Sequence, residues 1–60
     1  MNAPQDRLAL FLAPLAATQP KQADYRRYAE LKRRLERDFA ALPPADYERA
    51  ITIIARATGV

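Results

Sequence analysis

Apolar residues recur along this chain at helical spacing. Leu8, Phe11, Leu12 and Leu15 fall at i, i+3, i+4 and i+7, the pattern of one buried helical face. Tyr28, Leu31, Leu35, Phe39 and Leu42 form a second stripe at intervals of 3, 4, 4 and 3, close to a coiled-coil seam but only about two heptads long. Tyr47, Ala50, Ile51, Ile54 and Thr58 form a third, widened by Ile53 and Ala57 on one side and Ala55 on the other. No run alternates with period two, so no strand is predicted.

Prolines and caps cut this pattern into elements. Asn2 with Gln5 has the form of a capping box, and Pro4 and Asp6 suit a first helical turn. Pro14 should end or bend that helix near Ala13, because a mid-helix proline lacks the N–H and clashes with the carbonyl four residues back, a cost of ~3 kcal/mol. Thr18-Gln19-Pro20 reads as a short connector, which makes its neighbours antiparallel. Lys21–Leu42 contains neither Gly nor Pro and is predicted as one continuous helix. Pro43-Pro44 stops it, since the residue before a proline avoids the α region. Pro44 then fits the first position of a third helix, with Asp46 and Glu48 in its opening turns, where the helix dipole favours negative charge. Gly59 supplies a left-handed C-cap, with Val60 placed for the accompanying apolar contact. The expected fold is all-α: one domain over residues 1–60, a small three-helix bundle with helices at about 4–13, 21–42 and 45–58. The middle helix is the expected spine, with the others on its Tyr28–Leu42 stripe.

Size changes the picture. A chain of 60 residues buries only ~60% of its unfolded surface, so a lone core is marginal. Domains this small gain support from disulfides, a metal or a partner chain. Cys and His are both absent, which excludes disulfides and the usual zinc ligand sets. Dimerisation or a partner protein remains as the way to complete the bundle.

The same absences narrow the chemistry. Ser is missing too, so no Ser-His or Cys-His nucleophile can be built. The single glycine, Gly59, cannot form a phosphate-cradling loop. The carboxylates are spread among basic neighbours, with no cleft implied to raise a pKa. No enzyme activity and no cofactor or metal is expected. The apolar run at residues 8–17 is shorter than the ~20 residues of a membrane span, and Asp6 beside Arg7 weakens a secretory-leader reading. A core helix in a cytoplasmic protein is the expectation, and no membrane association.

Charge is concentrated in the middle. Lys21–Leu42 holds seven basic and four acidic residues, an excess equal to the net charge of +3. Arg26, Arg33, Arg34 and Arg37 share the back of the predicted helix, a candidate surface for phosphates or an acidic partner. Against this, Arg26–Glu30, Glu30–Arg34, Arg34–Asp38 and Lys32–Glu36 stand at i, i+4, where ion pairs consume positive charge at ~0.2–0.5 kcal/mol each. That leaves Arg33 and Arg37 least compensated. A helix-turn-helix reader is a poor fit, because the turn is built of proline and the following helix is apolar around half its girth.

Tyr28 and Tyr47 lie on apolar stripes and should fill the core edge. Tyr25 lies off-stripe and is a candidate exposed anchor. An apolar face as wide as that of the third helix exceeds what one neighbour covers. It sits between two helices of its own chain or meets another molecule, and Ile53, with Ala57, marks that second contact. Ile53, Ala57 and Tyr25 are therefore the predicted partner-binding residues. The expected function is a small non-enzymatic protein–protein interaction module, an adaptor or regulator binding a larger protein or itself. The alternative is a nucleic-acid accessory protein holding phosphates on Arg26, Arg33, Arg34 and Arg37.

Overall fold

The computed structural model describes the backbone of residues 3–60 and the side chains of residues 7–60. The Asn2/Gln5 capping box and the Pro4 and Asp6 first turn lie outside the described side chains. Three helices make up the all-α fold: α1, Ala3–Ala16; α2, Tyr25–Asp38; and α3, Pro44–Thr58. The Asp24 N–H, at the head of α2, donates to the Thr58 carbonyl at the tail of α3 (2.7 Å). At the other end the Tyr47 hydroxyl of α3 donates to Glu36 of α2. α2 and α3 are thus antiparallel. α1 runs antiparallel to α2 as well, with Phe11 beside Phe39 and Arg34 over Phe11. The result is an up-down-up bundle of extents 37 × 19 × 17 Å.

The spine is α3, not α2 as expected. Among the described residues, α1 and α2 each bring Cα atoms within 8 Å of α3, and neither does so with the other. Side-chain size explains this. α3 presents Ala50 and Ala57 to the core, 0% and 4% exposed, so neighbouring backbones can close in. The α1–α2 junction is filled by Phe11, Phe39 and Arg34, which hold the two axes apart; interaxial distance follows the side chains at the contact. On the wide apolar face of α3, Ala50, Ile54 and Ala57 are buried and Ile51, Ile53 and Ala55 are half-buried.

The core is small. Leu15 of α1, Leu31 and Leu35 of α2, and Ala50, Ile54 and Ala57 of α3 form it, with Leu35 and Ile54 fully buried. Truncating a fully buried Leu such as Leu35 to Ala costs ~2–5 kcal/mol, against roughly 3–9 kcal/mol of total stability for a chain of this length. Each large core residue therefore carries a large share of the stability.

α2 is shorter than expected at both ends. Asp24 is its N-cap, with a side-chain oxygen accepting the Arg27 N–H at 3.0 Å, the arrangement that satisfies an orphan donor of the first turn. Lys21–Ala23 does not add a turn. It crosses the end of α3, where the Asp24 N–H is committed to Thr58. At the other end the two prolines act backwards. Pro44 holds the backbone of Pro43 out of the α region, at φ −58° and ψ 150°, so the helix must have ended before Pro43. The chain unwinds from Phe39 (φ −132°, ψ 48°), and the Leu42 N–H closes a turn onto the Phe39 carbonyl at 3.3 Å.

α1 is longer than expected and passes through Pro14 to Ala16. The carbonyl that loses its partner to Pro14 belongs to Leu10, and both residues are exposed. Water can satisfy that carbonyl, so the proline is tolerated on the outer face. Thr18 closes the helix end, its hydroxyl donating to the Pro14 carbonyl (2.8 Å) and its N–H to that of Leu15 (3.1 Å).

α3 begins and ends as expected. Pro44 is its first residue, and the Tyr47 N–H reaches the Pro43 carbonyl at 3.0 Å. Gly59 takes φ 75°. The Val60 N–H reaches the Ala55 carbonyl (2.9 Å) and the Gly59 N–H that of Arg56 (3.4 Å), the paired bonds of a Schellman cap.

Candidate interaction surface

The helix ends and the unwound Phe39–Pro43 loop shape an apolar groove. This groove, of about 600 Å³, is lined by Leu8 of α1 and by Phe39, Ala40, Ala41, Leu42 and Pro43. Arg7, Arg37, Asp38 and Asp46 supply its charged margin. The apolar lining exists because α2 stops early. Phe39 and Leu42, expected on a helical stripe, are half-buried against the core from a loop instead, and Ala40 and Ala41 are left exposed between them.

One ladder of side chains stands beside the groove. Arg7 of α1 lies over the Phe39 ring (5.6 Å), Phe39 meets Phe11 of α1 (5.8 Å between centroids, planes at 42°), and Arg34 of α2 lies over Phe11 (5.7 Å). The members alternate between α1 and the α2 end, so cation–π and aromatic contacts hold together two helices whose backbones do not touch.

This ladder changes the reading of the arginine face. Arg26, Arg33, Arg34 and Arg37 are all exposed on α2, as expected. Their partners are not those expected. Among the described residues none of the four i, i+4 pairs forms, and one ion pair is present: Arg37 Nε to Asp38 Oδ1 at 3.0 Å. Neighbours at i, i+1 do not normally face each other on a helix, but Asp38 is the last residue of α2 and its side chain is free to turn back. Glu36 is taken by the Tyr47 hydroxyl rather than by Lys32. Arg37, expected to be uncompensated, is therefore paired, and Arg34 is laid on an aromatic ring. Arg26 and Arg33 make no side-chain hydrogen bond or ion pair among the described residues.

The charges shift their neighbours. The hydrogen bond from Arg37 holds the Asp38 carboxyl below the usual carboxylate range, helped by the charges of Arg37, Arg34 and Arg7 and opposed by partial burial. The Arg37 guanidinium is raised in turn, first by that hydrogen bond. The bond to Glu36 pushes the Tyr47 phenol up, with burial and the Glu36 charge adding to it.

The predicted partner-binding residues differ in exposure. Tyr25 is 69% exposed at the head of α2, Ile53 is half-buried, and Ala57 is 4% exposed within the core. Ala57 is thus a packing residue, because α1 and α2 both close on α3. The strongest exposed apolar side chain is one not singled out, Leu10, at 76%. Its stripe neighbours Leu8, Phe11 and Leu12 turn inward, and only its position opposite them signalled exposure.

Among the described residues no group of His, Cys, Asp and Glu is arranged to hold a metal, and no helix is long and apolar enough to cross a membrane. Together these features define a small all-α three-helix domain with an apolar groove and a margin of mixed charge. No protein-family model matches the chain, and neither does any curated protein or solved structure.

Proposed function

We propose that this protein is a small non-enzymatic interaction module that binds another protein through the groove at Leu8 and Phe39–Pro43. The observation that carries this reading is the groove itself, an apolar concavity of about 600 Å³ left uncovered beside a core of six buried residues among those described. Covering it would add buried apolar surface to a chain whose lone core is marginal at this size. The test is co-purification of the tagged full chain from its native cell beside two variants. Ala41→Glu places a charge in the groove at an exposed loop position, and Thr52→Glu places one on the exposed back of α3. A protein retained by wild type and Thr52→Glu but lost with Ala41→Glu is the expected result. A chain whose retained proteins are indifferent to Ala41→Glu, and which sediments as a monomer, overturns the reading.

Phosphate binding is a second reading, supported by Arg26 and Arg33, which make no side-chain hydrogen bond or ion pair among the described residues. Their spacing of seven residues puts them ~10.5 Å apart along one helix face. Affinity for single- or double-stranded nucleic acid should then fall steeply with salt and disappear in Arg26→Glu/Arg33→Glu. No binding at low salt ends it.

A further inference from the structure

The ladder of side chains divides between two concavities. Arg7 and Phe39 line the groove, while Phe11 and Arg34 line a separate crease between α1 and α2, of about 310 Å³. The two share no lining residue. The crease opens where the α1 and α2 backbones stay apart. Its floor is Phe11 with the buried Leu15 and Leu31. On the α1 side its lip carries no charge: Leu10, 76% exposed, Pro14 and Thr18. On the α2 side the lip is Arg27 and Arg34, the only charged residues of the lining among those described.

The carboxylates of α2 do not cancel this lip. Asp24–Asp38 holds six basic residues against four acidic ones, an excess of two positive charges. Three of the four acidic groups are occupied. Asp24 accepts the Arg27 N–H, Glu36 accepts from Tyr47, and Asp38 is bonded to Arg37. Glu30, between Arg27 and Arg34 in sequence, forms no ion pair with either among the described residues.

We infer that this crease receives an acidic amphipathic helix of another protein, its apolar side chains packed on Leu10 and the floor and two of its carboxylates meeting Arg27 and Arg34. The site is separate from the groove and does not rest on it. Arg27 and Arg34 stand seven residues apart, ~10.5 Å along α2. Carboxylates at the same spacing on a helix lying beside α2 therefore reach both. A helix laid in an apolar furrow is a recurrent recognition mode. Other occupants fit less well. A second copy has no two carboxylates seven residues apart and brings a net charge of +3, and like-charge juxtaposition is disfavoured. Nucleic acid offers phosphates but no apolar side chain for Leu10 and the floor. A small molecule needs enclosure over most of its surface, and here the lips are exposed. A flat membrane surface does not reach the buried floor.

Arg34 is already laid over the Phe11 ring. A planar guanidinium held in this way keeps its N–H edge available for a carboxylate. Less side-chain freedom is then lost on binding, which favours affinity.

The experiment uses the full chain and two labelled amphipathic peptides ~15 residues long, the minimum for appreciable helicity. Both carry the same leucine stripe. One has two Glu beside the stripe at the Arg27–Arg34 spacing, and the other has Gln at those positions. Fluorescence polarisation should give the Glu peptide ~10-fold tighter binding, the effect of two ion pairs at a rim, and the gap should narrow as salt screens the charges. Leu10→Glu, at an exposed position, should lower affinity for the Glu peptide at least ~10-fold by setting a charge against its stripe. Arg27→Gln/Arg34→Gln should bring the Glu peptide to the affinity of the Gln peptide. Ala41→Glu, in the groove, should leave binding unchanged. Equal affinity for the two peptides, a preference that survives the double arginine change, or no binding of either peptide overturns the inference. So does tighter binding to phosphatidylglycerol vesicles than to the Glu peptide. Binding that is lost with Ala41→Glu and indifferent to Leu10→Glu places the peptide in the groove and overturns the crease as its site.

Discussion

The Arg34 guanidinium lies 5.7 Å from the centroid of the Phe11 ring, and this contact joins α2 to α1 where their backbones stay apart. It explains why α1 lies along the α2 side of the bundle although its close backbone neighbour is α3. Such contacts contribute ~0.5–1 kcal/mol at exposed sites. A double-mutant cycle of Phe11→Leu and Arg34→Met, read by urea denaturation, should therefore show a coupling of ~0.5–1 kcal/mol beyond the sum of the single changes. Strict additivity would mean that the two side chains lie together without stabilising each other.

Number, order and type of the elements were legible because helical periodicity is a local property. Leu31, Leu35, Ala50 and Ile54 could be read as buried from spacing alone, and Pro44 and Gly59 act through their own backbone chemistry. The ends of α2 were not legible in the same way. Its start is fixed by Asp24, whose backbone N–H is held by Thr58 across the molecule, and no local pattern reports a bond between residues so far apart. A signal was nonetheless present: Asp is among the strongest N-cap residues, and Asp24 stands directly before the charged run.

The groove was hidden for a related reason. Phe39, Ala40, Ala41 and Leu42 are all acceptable in a helix, and the stripe through Phe39 and Leu42 is in register with Leu35. No local rule forbids a helical turn over Phe39–Leu42, because the prolines require only that the helix has ended by Leu42. The arginine face was legible as exposed but not as engaged. The contacts that occupy Arg34 and Arg37 run to Phe11 on another helix and to Asp38 at a helix end, outside the i, i+4 rule used to assign partners.

Gly59 serves two purposes that a substitution can separate. Its φ of 75° lies in the left-handed region, and a Cβ there would sit 2.8 Å from the Gln22 carbonyl oxygen and 3.2 Å from the Ala23 Cα. Left-handed backbone alone costs an L residue ~1–2 kcal/mol. Gly59→Ala should destabilise by more than that, ~2–3 kcal/mol, because the loop must also retreat. Gly59→Asn relieves the backbone preference but keeps the Cβ, so it should recover little. In both variants the Asp24 amide should exchange with solvent faster, since the same retreat stretches its bond to Thr58. Rescue by Asn would show that the approach of the loop is unimportant.

The pH dependence of stability should have two separable limbs. The Tyr47 phenol is raised in the folded state by its bond to Glu36, so the folded chain holds that proton more firmly than the unfolded chain does. Its contribution is complete below the ordinary tyrosine range, near pH 10, and is lost as pH rises through the higher folded value. Asp38 behaves oppositely. Its folded carboxyl is lowered, first by the hydrogen bond from Arg37, so its contribution is present above about pH 4 and is lost as pH falls through the lower folded value. Urea midpoints measured across pH should fall at both extremes. Tyr47→Phe should flatten the alkaline limb alone and Asp38→Asn the acid limb alone, with the midpoints of each variant nearly constant over the limb it removes. An alkaline decline that survives Tyr47→Phe unchanged would assign that limb to other groups and leave the Tyr47–Glu36 bond without a role in stability.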